Sequence, residues 1–416
     1  MSPNFRIAVR FLLSKKRSML MSLAGIVLGV GLFIVAQANT TGFEKLFIKT
    51  VLGANGAVRV QDKFQETLTS IQIEQEDTGR QFEFGRASGR KYRPGVEHAD
   101  KVIESLYQFS NVLAASKVLR GAIDVSNNFK AEPAQLFGIE KDMHMLVSDL
   151  EEQIVFGSML DFQRNPRGAL VGLALAERMM IEPGDSILFT VGDESHRVLV
   201  SGIYETGYRD IDRERIFIDI NQARRILKRP HQTSYIQVSL FDVEKADDDR
   251  YLMESVVQHI VAPWQEREKV WLQVFQAVRI SAMISLSSII FISGLGMFST
   301  LAIIIMEKTR EIAILRSIGY TRRDVTHIFI WQGFIVTVVG ILTGWLTGAT
   351  LTLVASRLPI RIRGIFSTDS FVVDWSIWHY VIAGMIAFIF VMTASIIPSR
   401  RAAKLEPGDV IRGTSG

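Results

Sequence analysis

Long unbroken apolar runs and long stretches of mixed polarity divide this chain, and the runs decide its class. Four of them contain no Asp, Glu, Lys or Arg: Ser18 to Phe43, Ile280 to Met306, Ile328 to Ser356 and Trp375 to Ser399, of 26, 27, 29 and 25 residues. Each exceeds the roughly 20 residues that cross ~30 Å of hydrocarbon at 1.5 Å per residue. Buried helices of a soluble protein need only about 10–14 apolar residues. Backbone groups in a bilayer must be satisfied locally, so the runs predict four transmembrane helices, at 18–43, 280–306, 328–356 and 375–399. Gly25, Gly29 and Gly31 in the first run, and Gly340, Gly344 and Gly348 in the third, recur at small-residue spacing that permits close helix approach.

The 236 residues from Glu44 to Arg279 carry mixed patterns that predict an α/β domain inserted between the first two spans. Thr41 to Val51 continues the first helix, with Gly53 as its stop. Ala57 to Gln61 alternates like a strand, and Asp62 to Pro94 is a polar hairpin or loop. Val96 to Phe109 has helical spacing; Val112 to Leu119 and Ala134 to Gly138 read as strands. Leu170 to Met180 reads as a helix closed by Pro183-Gly184-Asp185. Ser186 to Val191 and His196 to Ile203 predict a hairpin around Gly192-Asp193-Glu194-Ser195. Arg215 to Ile220 is a strand, Asn221 to Leu227 a helix and Tyr235 to Leu240 a strand. Lys245 to Arg279 predicts a helix kinked at Pro263 and feeding the second span.

Charge gives the orientation. The N-terminal tail 1–17, the loop 307–327 and the C-terminal tail 400–416 together carry +9, the loop 357–374 carries +1, and 44–279 carries −6. Basic flanks stay in the cytoplasm, so both termini are expected inside and 44–279 in the periplasm. The sequence pI of about 9.2 thus reflects topology, with no single basic surface for nucleic acid. The basic start, the apolar run and Ala36-Gln37-Ala38 also have the layout of a cleavable signal, although the run outlasts a usual 7–15-residue core.

Little points to catalysis. The chain has no cysteine, which removes thiolate metal sites and cysteine nucleophiles. No G-x-x-x-x-G-K-[ST], G-x-S-x-G or H-E-x-x-H occurs, and the seven His are scattered. The runs hold one ionisable residue, His379, near a span end. A proton relay or an ion filter needs more. Neither an enzyme nor a metal site is expected.

The segment Glu307-Lys308-Thr309-Arg310-Glu311-Ile312-Ala313-Ile314-Leu315-Arg316-Ser317-Ile318-Gly319 sits between the second and third spans. Ile312, Leu315 and Ile318 are spaced to share one helix face, leaving Arg310 and Glu311 for a partner. Gly319 suits a helix end, and Thr321-Arg322-Arg323-Asp324 suits a capping box opening the third span. An interfacial helix with snorkelling basic residues would look the same.

The run MEKTREIAILRSIGYTRRDVTHIFIWQGFIVTVVGILTG, Met306 to Gly344, and the tail PSRRAAKLEPGDVIRG, Pro398 to Gly413, resemble the FtsX/MacB-type permeases of ABC transporters. TGFEKLFIKTVLGANGAVRV, LALAERMMIEPGDSILFTV and GIYETGYRDIDRERIFIDINQARRIL resemble the lipoprotein-releasing, LolC/LolE-like branch. The resemblance implies a MacB-type periplasmic domain and an inner-membrane permease subunit. It implies a partner permease in a homo- or heterodimer, and a cytoplasmic ATPase pair that holds the ATP and Mg. Glu307, Lys308, Thr309, Arg310, Glu311, Ile312, Leu315, Arg316, Ile318 and Gly319 would form the coupling helix seated in that ATPase. The implied function is ATP-driven, mechanotransmissive extrusion of lipoprotein, whose acyl chains would enter between the first two spans past Met21, Phe33, Met283, Phe291, Met297 and Phe298. In the branch, the subunit that recruits a periplasmic carrier has a long hook in the hairpin matching Ser186 to Ile203. The short linker here departs from it, which leaves room for a MacB-type exporter of another amphipathic cargo, or an FtsX-like relay controlling a periplasmic enzyme.

Overall fold

The computed structural model describes residues 3–14, 16–62, 95–127, 129–358 and 371–403, the side chains at 13, 14, 16 and 17 excepted. The polar stretch to Pro94, most of the 357–374 loop and the tail from Lys404 lie outside these residues. The chain divides into a helical unit, formed by residues before Leu46 and after Leu272, and an α/β unit within Leu46–Leu272.

In the helical unit, α1 (Pro3–Ser14) precedes α2 (Lys16–Asn55), whose range extends into the α/β unit. Among the described residues, four helices are long and apolar enough to cross a membrane: α2, Lys269–Glu307, Arg322–Ser356 and Ile377–Ala402. The glycine spacing is used as read. Ile26, Val30 and Ile34 of α2, each 0 % exposed, sit over Gly340, Gly344 and Gly348. On its other side α2 places Gly25 against Ser293 and Gly29 against Ile290. Ser22 and Thr300 share a buried hydroxyl hydrogen bond of 2.7 Å across the same seam. Gly53 does not stop α2. It lies inside the helix where Asp149 approaches, the Asp149 amide donating to its carbonyl at 3.0 Å. The stop is Gly56, with φ +66°, a conformation that only glycine adopts cheaply.

The α/β unit contains β1 (Val58–Gln61), α3 (Ala99–Leu106), β2 (Val112–Ser126), β3 (Ala131–Ile139), α4 (Lys141–Met145), β4 (Ile154–Gly157), α5 (Met159–Arg164), β5 (Gly168–Gly172) and α6 (Leu173–Met179). It continues with β6 (Ser186–Val191), β7 (Glu194–Tyr204), α7 (Arg209–Glu214), β8 (Arg215–Asp219), α8 (Ile220–Ile226), β9 (Tyr235–Leu240), α9 (Ala246–Val257), β10 (Ile260–Pro263) and α10 (Trp264–Arg267). The strand order is β10-β1-β9-β2-β3-β8-β5-β7-β4, and β6 bridges β7 to β2. The path β2-β3-β8-β5-β7-β6 therefore closes on itself as a six-stranded barrel. Its lining is alternate apolar residues such as Val125, Leu136, Val171, Phe189, Val200 and Ile218. The open side, β2-β9-β1-β10, packs under α3 and α9 through Leu106, Ile236, Val238, Met253, Val261 and Trp264.

Three expectations change. Leu170 begins no helix: Gly168–Gly172 is a fully buried strand between β7 and β8, and the helix starts at Leu173. An apolar run buried on both faces has no period to separate strand from helix. Lys245 to Arg279 is not one kinked helix. Gln258 turns left-handed at φ 54°, and Ile260–Pro263 pairs antiparallel with β1 before Lys269 opens α11 (Lys269–Glu307). Pro263 ends an edge strand, where its missing N–H costs nothing. The hairpin is tighter than predicted, since Glu194 and Ser195 already pair with Val191 and Thr190 and leave Gly192-Asp193 as the turn.

Candidate functional site

Between α11 and α13 (Arg322–Ser356), the predicted helix is present as α12 (Thr309–Ser317). Lys308 breaks away from α11 with φ −95°, ψ 11°, and pairs with Glu311, while the Thr309 hydroxyl donates back to the Ile305 carbonyl at 2.9 Å. Gly319 at φ +112° turns the chain, and Thr321 and Asp324 form the capping box that starts α13. The predicted apolar face needs correction. Ile312 is 1 % exposed and Leu315 packs beside it, but Ile318 is 74 % exposed, and Ala313 is the second buried residue. Steps of three residues drift by about 60° each on a 3.6-residue helix, so the third member has left the face. The helix has also ended at Ser317. Its outer surface therefore carries Arg310, Glu311, Ile314 and Ile318: a charged pair flanked by two exposed isoleucines. Arg310 has no partner among the described residues.

Two neighbours hold α12 from behind. The Arg316 guanidinium donates to the Ala403 carbonyl, at 3.2 Å, at the end of α14 (Ile377–Ala402). Lys308 Nζ stands 5.7 Å from the Phe11 ring of α1. Sequence reading assigned residues 1–17 to a tail and missed α1, although Phe5, Ala8, Phe11 and Leu12 have the i, i+3, i+4 spacing of an amphipathic helix. That helix lies along α13: Phe5 meets Trp331 at 5.5 Å, Gln332 Nε2 donates to the Ala8 carbonyl at 3.3 Å, and Asn4 donates to Asp324 at 3.2 Å.

The residues expected along a cargo path are dispersed. Phe33 and Met297 are 1 % exposed in the helix core, because glycine contacts close α2 onto α11. They line no open surface. Met21 is 79 % exposed and Phe298 half-buried. Met283 and Phe291 do come together, but with Phe390 of α14 and with Ile284, Ser287 and Ser288, around an open apolar recess of about 410 Å³. Phe291 and Phe390 meet edge-to-face at 5.5 Å.

The α/β unit contributes an arginine cluster that no spacing announces. Arg267 donates to the Gly56 and Asn55 carbonyls at 2.8 and 3.4 Å, satisfying the C-terminal end of α2. Arg215 donates to the Asn55 side chain at 2.8 Å and lies 4.9 Å from the Phe137 ring, while Arg59 lies 4.3 Å from the Tyr235 ring. Burial first, then the like charge of Arg59, pushes Arg267 below the ordinary arginine range. Nearby, burial lowers His144 to about 3, helped by Arg215, so this histidine is a neutral core residue. Among the described residues no group of His, Asp and Glu is placed to hold a metal.

Comparison with known proteins places these elements in a family. Residues 19–250, more than half of the chain, match the MacB-like periplasmic core domain, and residues 283–407 match the FtsX-like permease C-terminal domain. The chain is 23 % identical to the lipoprotein-releasing system transmembrane protein LolC of Xylella fastidiosa over 98 % of both chains. It is 24 % identical to LolE of Haemophilus influenzae over 99 % of both. The crystal structure of the periplasmic region of MacB from Actinobacillus actinomycetemcomitans aligns at 11 % identity and TM-score 0.34, over 52 % of this chain and 92 % of that one. With four apolar helices, an inserted α/β unit and both domain matches in the expected order, this chain belongs to the MacB/FtsX family of ABC-transporter permeases.

Proposed function

We propose that the chain is the membrane subunit of a lipoprotein-releasing ABC transporter, driven by a separate cytoplasmic ATPase. The full-length likeness to LolC and LolE carries this reading, since it spans both domains and both ends of the relatives. In it the termini and α12 face the cytoplasm and the α/β unit faces the periplasm, in accord with the +9 and −6 charge balance. Arg310, Glu311, Ile314 and Ile318 contact the ATPase, and Ile312 and Ala313 anchor the helix to the spans. A dimer of permeases transmits ATPase closure through α2 and α11, and the recess at Met283, Phe291 and Phe390 receives cargo acyl chains.

The two-residue turn at Gly192-Asp193 favours a second reading of the partner. A subunit without a protruding hairpin would leave carrier recruitment to a paralogue or export another amphipathic cargo. Membrane co-purification tests both readings. Recovery of an ATPase with a lipid-modified protein supports lipoprotein release; an ATPase with a periplasmic adaptor or a cell-wall hydrolase refutes that cargo. Exchanging the charges with Arg310→Glu and Glu311→Arg should abolish ATPase retention, and unchanged retention refutes the coupling assignment.

A further inference from the structure

We propose that the apolar recess between α1, α2 and α13 is a binding niche for one acyl chain of an anionic phospholipid from the leaflet on the N-terminal side. The inference does not depend on the cargo or on which way the protein faces. Leu12 of α1, Met19, Leu20 and Leu23 of α2, and Ile335, Val336 and Val339 of α13 surround a space of about 230 Å³. Every lining side chain is apolar. The recess is open on one side, and a wholly apolar surface of this kind takes hydrocarbon readily.

The void follows from how α1 is seated. Phe5, Ala8 and Phe11 reach α13 at Trp331, Gln332 and Phe329, which fixes α1 along the first turns of that helix. Further along α13, Ile26 of α2 sits closely over Gly340. Between these two zones neither helix fills the space. It opens past Leu20 and Val339, which are 60 % and 42 % exposed among apolar neighbours of the span. Such an opening admits a lipid tail and excludes water.

Charge selects the headgroup. The only charges on α1 are Arg6 and Arg10, both exposed and neither with a partner among the described residues. Arg323, in the first turn of α13, is likewise exposed and free. Asn4 and Asp324 tie these two helix starts together at 3.2 Å, so the cations belong to one edge of the unit. An apolar slot whose lining helices α1 and α13 also carry unpaired arginines matches an amphiphile with a negative head and a hydrocarbon tail.

Native mass spectrometry of the full-length protein in detergent, titrated with phosphatidylglycerol or phosphatidylcholine, tests this. The wild type should retain one phosphatidylglycerol about tenfold or more tighter than phosphatidylcholine, the preference expected from the cations Arg6, Arg10 and Arg323. Leu20→Phe with Val339→Phe fills the mouth from exposed positions and should abolish retention of either lipid. Arg6→Gln with Arg10→Gln should keep retention but reduce the preference several-fold, and an unchanged preference in this variant also overturns the proposal. Equal retention of the two lipids by the wild type overturns the proposal. So does unchanged phosphatidylglycerol retention in the filled variant, or displacement of the lipid by an N-acylated peptide.

Discussion

Adding one methyl group at Gly344 tests the helix seam. A Cβ there would lie 2.8 Å from Val30 Cβ and 2.9 Å from its Cγ1. Carbon atoms attract best at about 3.5–4.0 Å, so α2 and α13 must part by several tenths of an ångström. Val30 Cβ is fixed to its backbone and cannot rotate away. Overpacking of this kind costs about 1–3 kcal/mol, against at most about 1 kcal/mol gained from alanine's better helix propensity. Gly344→Ala should therefore lose up to about 2 kcal/mol and stand about 1–3 kcal/mol below an alanine placed where no atom crowds it. Gly296 lies on α11 with no atom within 4 Å of its added Cβ, so Gly296→Ala should be neutral or gain up to about 1 kcal/mol. Thermal unfolding of both variants in one detergent gives the comparison. If Gly344→Ala is as stable as Gly296→Ala, the seam is looser than described and the argument fails.

Arg267→Met should lower stability by about 1–3 kcal/mol, because the Gly56 carbonyl loses its donor; Arg267→Lys should recover part of this, and hydrogen exchange at residues 56–60 should rise only in the methionine variant. Ile312→Ala should cost about 2–3 kcal/mol in thermal unfolding, whereas Ile318→Ala, on the exposed side, should stay within about 0.5 kcal/mol. His144 has a native pKa near 3, below the ordinary 6.5, so only the unfolded chain takes its proton in that window. Its share of stability is complete above pH 6.5 and falls by up to roughly 1.4 kcal/mol per pH unit as pH drops towards 3. Asp212 opposes it: burial raises its carboxyl to about 6 from 3.8, so the native state gains a proton and stability as pH falls from 6 towards 4. His144→Leu should remove the acid-side loss in a pH series of unfolding midpoints and expose the Asp212 gain; an unchanged slope would refute the assignment.

Where a single physical rule dominates, the chain is legible without coordinates. Four charge-free runs became four long helices because hydrocarbon leaves the backbone no other partner. Tyr235–Leu240 and Ser186–Val191 appear with their predicted bounds, since apolar residues at every second position (Ile236, Val238, Leu240; Ile187, Phe189, Val191) give a period of two whatever their burial. The Thr321–Asp324 cap is local chemistry and formed as read. Legibility failed at Gly168–Gly172 and Ile260–Pro263, where strand identity depends on partners that are distant in sequence.

The sequence by itself determined the class, the number of spans, the charge balance that favours one orientation, and the existence of a helix between spans two and three. Tertiary structure decided which side of that helix is free, moving Ile318 outside and Ala313 inside. It buried Phe33 and Met297, and it joined Met283 and Phe291 to Phe390. It also brought Arg59, Arg215 and Arg267 to the end of α2, and left an apolar niche between α1, α2 and α13. Burial of an apolar run and capping of a helix are settled by residues within a few turns, and such rules can be read along the chain. Which surface stays open depends on contacts between segments hundreds of residues apart, and only the folded chain brings those together.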